Sequence, residues 1–171
     1  SAADITSVYD ANAAGQIYGL GNEELIITDL TISASSLNTL NTNTTGTLKA
    51  LTVTSITGST ADINTIYAAN NAGQITGLGD EAVTITDTTV DAALLITLDA
   101  FTSGLINASS INNLVGSDTD QETIRASSGI TGLPSSMAGA NIISSLNIST
   151  EVTNEQIDLE GFNTRNYLEK Y

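Results

Sequence analysis

The sequence predicts a repeat solenoid of mixed β/α type, with short parallel strands alternating with helical returns, and three observations lead there. Sliding the chain by 58 residues lays it on its own copy: between residues 3–58 and 61–116, 26 of 56 positions are identical without a gap. A third, partial copy follows, in which Asp120, Ile124 and Ala126 match Asp62, Ile66 and Ala68, and a three-residue deletion aligns Gly129-Ile130-Thr131-Gly132-Leu133 with the glycine motif. Within each copy a half-repeat recurs: an apolar pair three residues apart, a polar stretch, a glycine, then a short apolar run. A fixed period of this kind means stacked units, each hiding its apolar face against the next.

The half-repeats set the elements. Leu37 and Leu40 precede Gly46 and then Leu48 and Leu51; Ile63 and Ile66 precede Gly73 and then Ile75 and Leu78; Leu95 and Leu98 precede Gly104 and Ile106. Their starts at 37, 63 and 95 are alternately 26 and 32 residues apart, and about five coils result. In Ala61–Tyr67 apolar residues at i, i+3 and i+4 mark a helix face. Thr60 is the expected N-cap, Asp62 suits the helix dipole, and Gly73 is the expected stop. Val90–Phe101, with Ala92, Leu94, Leu95 and Leu98, reads as a helix, whereas Val83–Thr86 and Leu51–Thr54 alternate apolar with polar and read as strands. A right-handed parallel β-helix, with turns alone between strands, is the alternative.

Residues 1–133 are thus expected to form the repeat region, and residues 134–171 a divergent C-terminal segment. Pro134 marks the boundary. Beyond it the repeat is lost, and Glu151, Glu155, Asp158, Glu160, Glu169, Phe162, Tyr167 and Tyr171 make a different composition. A solenoid needs its open end covered, so this segment reads as a cap, with docking onto a partner subunit as the alternative.

Composition narrows the function. Apolar residues reach 40% but aromatics only 4%, so the core must be thin layers of Ile, Leu, Val and Ala. Four basic residues against nineteen acidic give a net charge of −15, which repels nucleic acid and anionic lipid and attracts divalent cations. Three of the bases, Arg125, Arg165 and Lys170, lie in the last 50 positions. Without Cys there is neither disulfide nor thiolate metal site, and without His the usual general base is missing. No apolar run is long enough to span a membrane. No signal peptide is visible, and Ser1 begins inside a repeat, so the chain reads as a mature product or an excised piece.

The stretch from Ala61 to Ser110 resembles repeats in very large cell-surface proteins of marine cyanobacteria and is similar to repeats in structural proteins of the phages that infect them. The residues carrying the resemblance are Gly77-Leu78-Gly79-Asp80-Glu81-Ala82-Val83-Thr84, Thr97-Leu98-Asp99, and a Thr/Ser-Gly before a short strand. It covers about residues 2–133. It implies an extracellular or virion-surface setting and a spacing or adhesive role, and transfers no catalytic residue.

The residues bear on four chemistries. Calcium takes six to eight oxygens from carboxylates and carbonyls on turns. Glu23 and Asp29, equivalent to Glu81 and Asp87, lie with Asp80 beside Gly21 or Gly79, and form the first candidate calcium set. Asp118, Asp120 and Glu122 form a second, matching half of an EF-hand loop without its glycine and distal glutamate. Capping of helix starts and solvation explain the same acids. The Gly19-Leu20-Gly21 and Gly77-Leu78-Gly79 elements lack the lysine of a phosphate cradle and read as turns needing positive φ. Thr52/Thr54 and Thr84/Thr86 suggest an ice-binding array, but Ile26 stands where Thr84 does. A carboxylate-dependent glycosidase needs two acids flanking a bond, yet these acids recur at equivalent places, as structural residues do. Tyr9 and Tyr67 read as core-edge residues. The expected function is therefore a structural repeat protein acting in assembly, spacing or adhesion, with itself as the partner in an oligomer or filament. A monomeric module binding a glycan or host surface is the alternative.

Overall fold

A computed structural model describes residues 1–133; the expected cap or docking segment at 134–171 lies outside the described residues. Among the described residues the fold is mixed α/β, with five helices and every paired strand parallel. The helices are α1 (Ala2–Ala13), α2 (Ala34–Asn43), α3 (Thr60–Asn71), α4 (Ala92–Phe101) and α5 (Asp118–Ala126). Each packs on the next in chain order. After α1 come β1 (Leu25–Ile26) and β2 (Thr31–Ser33), and after α2 come β3 (Leu48–Lys49) and β4 (Ser55–Gly58). After α3 come β5 (Ile75–Thr76), β6 (Ala82–Ile85) and β7 (Thr89–Asp91). After α4 come β8 (Ile106–Asn107) and β9 (Asn113–Val115), and after α5 comes β10 (Ile130–Thr131).

Strand pairing explains the alternating spacing. The unit begun by α2 is short and holds two strands; the unit begun by α3 is long and holds three. β3 pairs with β5, and β4 with β6, when the short unit meets the long one above it. The next short unit shifts by one strand: β8 pairs with β6 and β9 with β7. The middle strand of the long unit is therefore shared. Ser55↔Ala82 lies on one side of β6 and Val83↔Ile106 on the other. The third strand supplies the extra residues of the 32-residue spacing.

Helix starts follow local chemistry. Ser1, Ser59 and Ser117 are equivalent N-caps, each accepting the N–H three residues on, from Asp4, Asp62 and Asp120. The expectation of Thr60 as cap is corrected: Thr60 is the first helical residue, and both its N–H and hydroxyl go to Asp87. Gly73, at φ +78°, follows the α3 C-cap as expected. The helix expected from Val90 starts instead at Ala92, because β7 continues through Asp91, whose side chain then caps α4. The strand expected at Leu51–Thr54 is a turn between β3 and β4. Val53 N–H bonds the Ala50 carbonyl, while the Thr52 and Thr54 hydroxyls reach the carbonyls of Ile27 and Leu30. Alternation there records Val53 facing inward from a turn.

The core lies between the helix row and the strands. Leu37, Leu40, Ile63, Ile66, Leu95 and Leu98 from the helices meet Leu48, Ile56, Ile75, Ile85 and Ile106 from the strands, all with no exposed surface. Ala50 and Ala108 are as deeply buried, where only a small side chain fits the layer.

Candidate functional site

The acids singled out as cation ligands sit at a repeated joint. In the second copy α3 projects the Tyr67 hydroxyl, and it donates to Glu81 Oε2 at 3.0 Å. The Gly77-Leu78-Gly79 turn, with φ of +90° and +143° at its glycines, brings the Gly79 N–H to the same carboxyl at 2.9 Å. Tyr67 and Glu81 are each 1% exposed. Burial pushes the Tyr67 phenol well above its ordinary range. Its ring stacks on Phe101, with centroids 6.2 Å apart.

The first copy repeats the joint nearer solvent. Tyr9 donates to Glu23 Oε2 at 2.8 Å, and Gly21 N–H donates to it at 2.7 Å. The Gly21 N–H first, and then the Tyr9 hydroxyl, hold the Glu23 carboxyl below the usual carboxylate range. Desolvation raises the Tyr9 phenol.

The following unit locks onto this joint. Thr44 donates to the Glu23 carbonyl at 2.8 Å and accepts Gly46 N–H at 2.9 Å. Thr102 donates to the Gly79 carbonyl and accepts Gly104 N–H at 3.0 Å. A Cβ on Gly46 would strike the Glu23 carbonyl, and one on Gly104 the Glu81 carbonyl. Ser127 and Gly129 repeat the Thr-x-Gly turn in the third copy, with Ser127 donating to Asp99 at 2.8 Å.

Asp29 and Asp87 close each long unit on itself. Asp29 accepts the Ala2 N–H at 2.7 Å, and Asp87 accepts the Thr60 N–H at 2.6 Å and its hydroxyl at 2.9 Å. Each sits at a helix N-terminus, where unpaired N–H groups and the dipole favour an acid. Asp118 and Asp120 occupy the first turn of α5, and Asp120 accepts the Ser117 hydroxyl at 2.6 Å. Asp80 and Glu122 are exposed.

No family model, curated protein or solved structure matches the chain. Function must therefore be read from the geometry. Among the described residues, no group of three or more acidic side chains stands where it could hold a metal ion. Glu23, Glu81, Asp29 and Asp87 are brought to one kind of chemistry, internal hydrogen bonding, rather than to one another. The Tyr67–Glu81 pair is closed to solvent, while Glu23 of the first copy is half-buried. Among the described residues no helix is long and apolar enough to cross a membrane.

The sequence alone places Tyr9 and Tyr67 at the core edge without their partners. The signal was present: Tyr and Glu are 14 residues apart in both copies, so the pair moves with the repeat. The apolar side chains left in solvent are the remaining surface feature. Tyr18 is 84% exposed, and Leu51, Leu30, Ile26 and Leu105 are also exposed. Thr76, Ser109, Thr88, Thr84 and Thr47 stand at their equivalent positions.

Proposed function

We propose that the chain is a repeat solenoid serving as an extracellular or virion-surface structural module, acting in assembly, spacing or adhesion. One observation carries the reading. The residues that build the joint are identical in the two copies: Tyr9/Tyr67, Glu23/Glu81, Asp29/Asp87, Thr44/Thr102 and Gly46/Gly104. The exposed apolar side chains are not repeated: Tyr18, Ile26, Leu30 and Leu51 correspond to Thr76, Thr84, Thr88 and Ser109. Such a pattern preserves a stackable unit, whereas a catalytic or ligand site makes one place unlike the rest. The acidic, cysteine-free composition and the resemblance to surface and phage repeats support the setting.

Sedimentation velocity of the full chain over a wide concentration range, with millimolar calcium and then with chelator, tests this. The expected result is a concentration-dependent oligomer that survives chelation, because the acids of the joint are committed internally. A monomer at every concentration would sink the assembly reading and favour the glycan-binding module.

A further inference from the structure

We draw no further inference here: the strongest candidate, the uncharged row Ser33, Thr57, Thr84, Asn107 and Thr131 that the register of β2, β4, β6, β8 and β10 lines up on the outer face of the sheet, is a stripe of small polar side chains, and nothing in the structure shows what covers it.

Discussion

Replacing Tyr67 with Phe removes one oxygen from a closed site and should be felt more than the same change at Tyr9. Glu81, 1% exposed, keeps the Gly79 N–H but loses the donor at 3.0 Å, and no solvent can replace it. A hydrogen bond to a carboxyl under these conditions is worth about 1.5–3 kcal/mol. At the equivalent joint Glu23 is half-buried, so water can take the place of the Tyr9 hydroxyl, and Tyr9→Phe should cost about 0.5–1.5 kcal/mol. Urea unfolding followed by circular dichroism measures both. For a chain of this size the Tyr67→Phe loss corresponds to a fall in Tm of about 3–12 °C. A Glu81→Gln background should shrink the effect, since the two residues share one interaction. Equal costs at Tyr67 and Tyr9 would refute the claim that burial makes one joint stronger than the other.

Three further outcomes follow from the same contacts. Gly104→Ala drives a Cβ into the backbone carbonyl of Glu81, which cannot step aside, and should cost about 3 kcal/mol; Gly73→Ala, at φ +78° with open space around it, should cost only about 1–2 kcal/mol in thermal unfolding. Asp87→Ala strips both partners from buried Thr60, at about 1–3 kcal/mol for each unsatisfied group, and should cost roughly twice Asp29→Ala, which frees only the Ala2 N–H. The folded state holds Glu23 below its unfolded value of about 4.3, so its contribution is complete above that pH and is lost as pH falls through the folded value. Stability titrated downward from neutral pH should therefore fall less steeply in Glu23→Gln than in the wild type.

Much of the fold was legible because the repeat wrote each unit twice. The apolar pairs placed the helices, and the alternating spacing of 26 and 32 residues registered the two kinds of unit. What spacing could not reveal was the cause, a third strand that pairs one position over in the next unit. Local pattern failed where tertiary contact decides the state. Thr52 and Thr54 alternate with Val53 as a strand would, yet their hydroxyls serve neighbouring carbonyls from a turn. Gly15-Gln16-Ile17 and Gly73-Gln74-Ile75 are the same text, but only the second has β3 beside it. The acids were legible as a recurring set, and their use was not. A carboxylate next to a glycine turn reads equally as a cation ligand or as an acceptor for tyrosine and backbone N–H. Only the chain's path, which returns Glu81 to Tyr67 and Asp87 to Thr60, separates the two.

That each unit owes its structure to the one beneath it is tested most directly by amide hydrogen exchange on the dilute, monomeric chain. Peptides covering residues 72–77 and 14–19 contain the same Gly-Gln-Ile. After correction for intrinsic rates, stacking predicts strong protection at Thr76 and little at Tyr18. Equal protection at the two sites would mean that the strand is set by its own sequence, and would contradict stacking as the source of the fold.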